Sequence, residues 1–290
     1  MESLRWESRP KLKDAVMVCA FTGWNDAAGS ATAALEFVSS HLGAERFATI
    51  DAEEYFDFQV MRPTVRLNEG QTREIEWPEF VFSNARVEGA GRDLVLLSGA
   101  EPNLRWRTFC ETILEAAREL RIELVVTLGA LLADVPHTRP VRITGIAGSP
   151  ELVERLGFSQ TRYEGPTGIV GVLHDACRRS GLPAASLWAP VPHYVSAVPS
   201  PKAALALLRA FEGLVEIAID ASELEQASEE YEQRLDEAVA SEPEVRSLVE
   251  RLEQQMDEAE VSFRDIPSGD SIAQEFERFL RQQGRRGEDE

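Results

Sequence analysis

Over the first 219 residues, short and unbroken apolar runs alternate with segments of helical periodicity. Residues 15–21 are apolar at every position, as expected for a strand buried on both faces, and the segment after them repeats apolar residues at helical spacing. The same alternation recurs around three further strand-like runs, 93–98, 124–128 and 185–189. Strands that alternate with helices indicate a three-layer α/β/α domain with a mostly parallel sheet.

The segment between residues 50 and 86 departs from this alternation. It contains Pro63 and Pro78 and two short runs, 72–77 and 80–84, which we expect to pair as a β-ribbon. An exposed ribbon leaves backbone edges that a neighbouring subunit can cover. The aromatic residues of this predicted ribbon are Trp77, Phe80 and Phe82.

The composition changes near residue 220. Residues 220–290 contain 22 Asp and Glu against 8 Lys and Arg, and their apolar residues follow helical spacing only. We therefore predict an α/β/α core domain over residues 1–219 and an acidic helical domain over 220–290. The second domain is expected to be a helical hairpin, broken at Glu242 and Pro243, followed by a short helix over 272–280.

The overall charge restricts the classes of partner. The formal net charge is −20, which repels nucleic-acid backbones and anionic membranes. No apolar run approaches the roughly 20 residues needed to span a bilayer. The first 14 residues lack the apolar region of a secretory signal, and the three Cys lie apart within apolar segments. We expect a cytoplasmic protein that binds neither nucleic acid nor membrane.

Candidate binding residues collect where predicted strands end and helices begin, which is where open α/β sheets bind ligands. We expect one pocket to form from three segments and the residue after the last strand. The residues of this hypothesis are Gly23, Trp24, Asn25, Asp26, Glu101, Gly165, Thr167, Gly168 and His193.

Most of these residues also fit structural roles. Asn25 or Asp26 can cap the helix after the first strand, and Thr167 can cap the helix that follows Gly168. Asp134 and His137 are close enough in sequence to pair within a polar loop. If Asp26 and Glu101 share a pocket, their carboxylates are expected to repel each other and the pKa of one of them to rise.

The motifs of several site classes are missing from the sequence. No phosphate-binding glycine motif, nucleophile elbow or zinc spacing occurs, and the four His are isolated. We therefore assign no catalytic residue, no metal and no cofactor. The sequence leaves open whether the chain has any catalytic activity.

Five segments in order resemble the proteasome assembly chaperone 2 family, in its actinobacterial branch. They are GWNDAAGSAT, GAEPNLRW, LGALLADVPHTRP, YEGPTGIVGVLHDAC and PHYVSAVPSPKA, within roughly residues 15–215. The resemblance implies a phosphorylase/hydrolase-like α/β/α fold, a small C-terminal helical domain and a homotrimer. It implies no reaction, since the eukaryotic relatives act by protein contact.

Two functions remain as alternatives. The first is a non-enzymatic protein-binding or assembly-chaperone-like protein, with itself and a further protein as partners. The second is a small-molecule-binding protein, or a hydrolase- or phosphorylase-like enzyme, that uses the crevice at the strand ends. The second rests on analogy of fold, which is weak support for a function.

Overall fold

The structure, a computed structural model, describes residues 4–68, 72–87, 89–148 and 163–264. Its centre is an 8-stranded sheet with the order β1-β3-β6-β7-β2-β8-β10-β9, and β4 and β5 form a separate two-stranded ribbon. The strands are β1 (Leu4–Trp6), β2 (Val16–Thr22), β3 (Glu45–Ile50), β4 (Thr64–Asn68), β5 (Thr72–Glu76), β6 (Phe80–Arg86), β7 (Asp93–Ala100), β8 (Leu124–Ala133), β9 (Thr144–Ala147) and β10 (Ala184–Pro192). The helices described are α1 (Ser30–His41), α2 (Trp106–Glu119), α3 (Ile169–Ser180), α4 (Pro201–Val215), α5 (Ser222–Ser241) and α6 (Pro243–Arg264).

The four central strands, β7, β2, β8 and β10, are parallel, as their unbroken apolar runs predict. The outer strands β1, β3, β6 and β9 pair antiparallel, so the sheet is mixed rather than mostly parallel. Alternate residues of β2 enter opposite cores: Met17 packs with α2 and α3, and Val18 with α1 and α4. The predicted three-layer α/β/α architecture is confirmed, with helices covering both faces of the sheet.

The predicted pairing of residues 72–77 with 80–84 is wrong. β5 pairs instead with β4, from Thr64↔Glu76 to Asn68↔Thr72. Strand β6 lies in the main sheet between β3 and β7, and Phe80 and Phe82 are fully buried there. The physical reason is burial: between β3 and β7 the side chains of Phe80 and Phe82 enter the core of the main sheet, which a two-stranded ribbon cannot provide.

Helix α4 begins at a Ser-Pro pair, a sequence typical of a helix N-terminus. The Ser200 side chain accepts a hydrogen bond from Ala203 N at 3.3 Å, and Pro201 takes the first helical position. Among its apolar residues, Leu207, Leu208 and Phe211 are buried, whereas Leu205 is only partly buried.

The acidic part of the chain forms α5 and α6, which meet at Glu242 as predicted. The chain divides into two compact units between Ala238 and Val239, so that all but the last three residues of α5 belong to the first unit. Tyr231 of α5 is buried, and three ion pairs join α5 to earlier parts of the chain, which explains why most of α5 belongs to the first unit. These ion pairs are Arg209–Glu225, Lys202–Glu232 and His137–Asp236. A domain boundary at 219/220 stays a prediction. The predicted helix over 272–280 lies outside the described residues. So do Ser149 and Pro150, whose sequence is typical of a helix N-terminus.

Candidate functional site

Three of the predicted segments meet at the carboxyl end of the sheet. Glu101 Oε1, just beyond β7, accepts hydrogen bonds from Asn25 Nδ2 at 2.7 Å and from Ile169 N at 2.8 Å. A Cβ atom on Gly168 would lie 2.2 Å from Asn25 Nδ2, and one on Gly23 would lie 3.3 Å from Glu101 Cβ. These residues form the Asn25–Glu101 cluster: Gly23, Asn25, Glu101, Gly168 and Ile169.

Asn25 is the most buried polar residue of this cluster, at 1% exposure. Its main-chain oxygen accepts a hydrogen bond from Ala130 N at 2.8 Å, which ties the loop after β2 to β8. Among the residues that the structure describes, its side-chain Oδ1 has no hydrogen-bond partner. A buried polar atom without a partner costs about 1–3 kcal/mol, so the cluster contains an acceptor that a donor group would stabilise.

The side chain of Asp26 holds the start of α1. Its Oδ1 accepts hydrogen bonds from Ala31 N at 2.7 Å and Thr32 N at 3.3 Å, and its Oδ2 accepts one from the Thr32 hydroxyl. Burial raises the pKa of Asp26, and the hydrogen bonds from Thr32 and Ala31 partly oppose that rise. The pKa therefore rises by desolvation, and not by the predicted repulsion between Asp26 and Glu101.

We expect Asp26→Ala to lower the free energy of unfolding by about 1–2 kcal/mol, since it removes this cap. Asp26→Asn keeps one acceptor and is expected to cost less. Because burial raises the pKa of Asp26 in the folded protein above its ordinary value of 3.8, stability is lost as the pH rises from that value through the raised pKa. In urea unfolding at several pH values, the free energy of unfolding of Asp26→Asn should rise relative to that of wild type as the pH rises. A difference between the two proteins that stays constant with pH would contradict the raised pKa of Asp26.

The other predicted site residues lie apart from this pairing. Thr167 does not cap α3: Gly168 is the N-cap residue without a side-chain bond, and Glu101 accepts from the first helical N–H instead. A Cβ on Gly165 would lie 2.5 Å from the Tyr163 hydroxyl, which donates to Pro166 O at 3.0 Å. Trp24 is 63% exposed.

Asp134 and His137 do not form the pair that their spacing in the sequence allowed; each contacts another residue. Strand β8 continues to Ala133, which lies opposite Pro192 of β10. The residues that follow these two strands therefore meet, and His193 Nδ1 is 3.1 Å from Asp134 Oδ1. The buried His137 ring instead lies 2.8 Å from the Tyr194 hydroxyl and 3.2 Å from Asp236 Oδ1. His193 therefore pairs with the end of β8 and not with Asn25 or Glu101.

A row of hydrogen-bonded side chains, which the sequence did not predict, links β8, β10 and α3. Thr127 Oγ1 and Ser186 Oγ are 2.7 Å apart, and Ser186 Oγ is 3.2 Å from His174 Nδ1. Burial lowers the pKa of His174, which favours a neutral ring. Both hydroxyl residues are 1% exposed, so this serine–histidine contact satisfies polar groups within the core rather than presenting a nucleophile. The one sequence signal was a single hydroxyl residue in each of two apolar strands.

The three cysteines are free and buried together in the core under α2 and α3. Burial raises the pKa of Cys110 and Cys177 to about 12 and that of Cys19 well above 9.0. Thiolates are the reactive form, so we expect none of the three to react with Ellman's reagent at pH 8 in the folded protein. All three should react in urea, and rapid labelling of one thiol without urea would contradict its burial.

A second candidate surface is apolar and exposed. The register Val65↔Ile75 and the alternation of side chains place Val65, Leu67 and Ile75 on one face of the β4–β5 ribbon. They are 57%, 65% and 52% exposed, and Trp77 just beyond β5 is 57% exposed. We call this set the ribbon face; the opposite face carries charged residues such as Arg66 and Glu76, which form an ion pair.

Within the described ranges, no three His, Cys, Asp or Glu side chains lie together as a possible metal site. None of the helices described combines the length and the apolar character needed to cross a bilayer.

Comparison with known proteins now decides the family. The PAC2 family model matches residues 20–239. The chain belongs to the PAC2 family. No curated protein matches the sequence.

Solved structures of PAC2 proteins cover most of the chain. A PAC2 family protein from Streptomyces avermitilis is 50% identical, with a TM-score of 0.77 over 81% of this chain and 100% of its own. A proteasome-assembly chaperone homologue from Mycobacterium tuberculosis is 45% identical, with a TM-score of 0.75 over 81% of this chain and 99% of its own. An archaeal proteasome activator from Pyrococcus furiosus shares the fold at 18% identity, with a TM-score of 0.65 over 82% of this chain and 99% of its own.

Proposed function

We propose that this PAC2 protein is a non-enzymatic, cytoplasmic protein-binding factor that assists the assembly of a proteasome-like complex. The ribbon face carries the proposal: apolar side chains that stay exposed side by side are typical of protein-binding surfaces. The description of the Mycobacterium tuberculosis relative as a proteasome-assembly chaperone homologue supports the partner class. Three buried free thiols fit a reducing compartment.

The test is binding to proteasome α-subunits encoded by the same genome, followed by native mass spectrometry and sedimentation. Val65→Ser with Leu67→Ser is expected to weaken the complex at least about tenfold, because each removes exposed apolar contact area. Arg66→Ser is the matched control, since Arg66 lies between them on the opposite ribbon face and should change the affinity less than about twofold. Wild-type protein that binds no subunit, or equal binding by the apolar variant, would overturn the proposal.

We further propose that the protein forms a homotrimer, which the family resemblance supports. Light scattering at micromolar concentration should then give about three times the chain mass of 32.2 kDa. A monomer under these conditions would refute the trimer.

A second candidate function, a small-molecule site at the strand ends, rests on one observation. Asn25 Oδ1 is a buried acceptor with no partner in the described part of the chain, and it lies beside the Glu101 carboxylate and the start of α3. Such a site favours a ligand with hydrogen-bond donors, an amine or a hydroxyl-rich compound, over an anion. A thermal-shift screen with nucleosides, amines and sugars tests it; no stabilisation by any of them would leave protein binding as the only candidate.

A further inference from the structure

A groove of about 350 Å³ opens at the end of β3, between residues 49–53 and residues 77–79. Its apolar wall is formed by Phe58 and Trp77, whose ring centroids are 5.0 Å apart at 64°. Phe58 is partly buried, whereas Trp77 is more than half exposed. The groove therefore presents an accessible indole ring that is held in place by an aromatic neighbour.

The charged residues of this Trp77 groove are mostly acidic: Asp51, Glu53 and Glu79 against the single cation Arg5. Asp51 forms an ion pair with Arg5 and accepts a hydrogen bond from Glu53 N at 3.0 Å. The carboxylate of Glu79 accepts two hydrogen bonds from Arg46 outside the groove, at 2.5 and 3.0 Å.

The Glu53 carboxylate differs from the other two. It has no hydrogen bond or ion pair among the residues that the structure describes, while the main chain of its turn is fixed by Asp51 and by the bond from Tyr55 N to Ala52 O at 2.9 Å. One uncompensated carboxylate thus lines the same groove as an accessible indole. This combination disfavours an anion and favours a cation with a flat apolar face.

We propose that the Trp77 groove binds an arginine side chain carried by an extended segment of a partner protein. A guanidinium stacks on an indole, is weakly hydrated, and forms directed hydrogen bonds to a carboxylate such as Glu53. Trp77 belongs to the ribbon face, and Ile75, two residues earlier on the same face, offers apolar contact to the residues beside that arginine. The net charge of −20 attracts a basic segment at longer range. The inference rests on the proposed protein-binding function and specifies the chemistry of the partner.

The probe is the blocked peptide acetyl-Leu-Arg-Leu-amide, and the readout is ¹⁹F NMR of full-length protein labelled with 5-fluorotryptophan. The five Trp give separate signals, and Trp77 is assigned by the signal that disappears in Trp77→Phe. We expect the Trp77 signal to shift and saturate, with no saturating shift for Trp24, the other exposed indole. The same peptide with citrulline in place of arginine should give no saturating shift, because it lacks the charge.

Variants separate the contact from a general effect of charge. Glu53→Gln should weaken peptide binding about two- to fivefold, the range for one exposed ion pair, and Glu115→Gln on the exposed face of α2 should leave it unchanged. Equal binding of the citrulline peptide, equal shifts of Trp24 and Trp77, or no effect of Glu53→Gln would overturn the inference. Peptide binding without α-subunit binding would retain the groove and reject the proteasome partner, and α-subunit binding without peptide binding would do the reverse.

Discussion

Gly168→Ala is expected to lower the free energy of unfolding by about 2–3 kcal/mol, the range for inserting atoms into a packed site. The added Cβ would lie 2.2 and 2.5 Å from the two side-chain amide atoms of Asn25 and 2.6 Å from Glu101 Oε1. The backbone of Gly168 is extended, with φ −98° and ψ −170°, so alanine adopts it without strain and the whole cost is steric. Urea or thermal unfolding measures the loss.

The matched control is Gly213→Ala, in the exposed part of α4, where a Cβ would meet nothing within 4 Å. Alanine is favoured over glycine in a helix, so this variant should gain up to about 1 kcal/mol. Adding Asn25→Ala to Gly168→Ala should recover part of the loss, because it removes the side chain that the new methyl group strikes. Additive losses in the double variant would show that the cluster is not packed as described.

The four central strands were predictable because each is a nearly continuous apolar run, and such runs are required where helices cover both faces of a sheet. The edges were not. The alternation in β6 fits a surface ribbon as well as it fits a strand with one buried face, and only the position of β6 between β3 and β7 decides that Phe80 and Phe82 are buried. Local sequence does not contain that position.

The same limit applies to the candidate site. The meeting of Asn25, Glu101 and Gly168 followed from the rule that parallel strands end at one edge, and the contacts agree. The capping of α3 by Glu101 did not follow, since a cap 68 positions away in the chain leaves no local signal, and Thr167 looked like the natural candidate. The pairing of His193 with Asp134 likewise depends on how far β8 and β10 extend.

Glu101→Ala is expected to lower the free energy of unfolding by about 2–3 kcal/mol. It leaves Asn25 Nδ2 and Ile169 N without their acceptor, and removes a negative charge from the N-terminus of α3. Glu101→Gln keeps one neutral acceptor and should lose about 1 kcal/mol. Glu115→Ala, an exposed glutamate on α2, is the control and should change the free energy of unfolding by less than about 0.5 kcal/mol.

The same variants distinguish a structural cluster from a ligand site. If Glu101 only joins β7 to the start of α3, Glu101→Gln lowers the melting temperature slightly and no compound in the thermal-shift screen acts differently on variant and wild type. If the Asn25–Glu101 cluster binds an amine or a hydroxyl-rich compound, the wild type is stabilised by that compound and Glu101→Gln loses the stabilisation, because a neutral amide accepts from a cationic donor far less strongly than a carboxylate does. A compound that stabilises Glu101→Gln and wild type equally binds elsewhere, and would exclude Glu101 from the site.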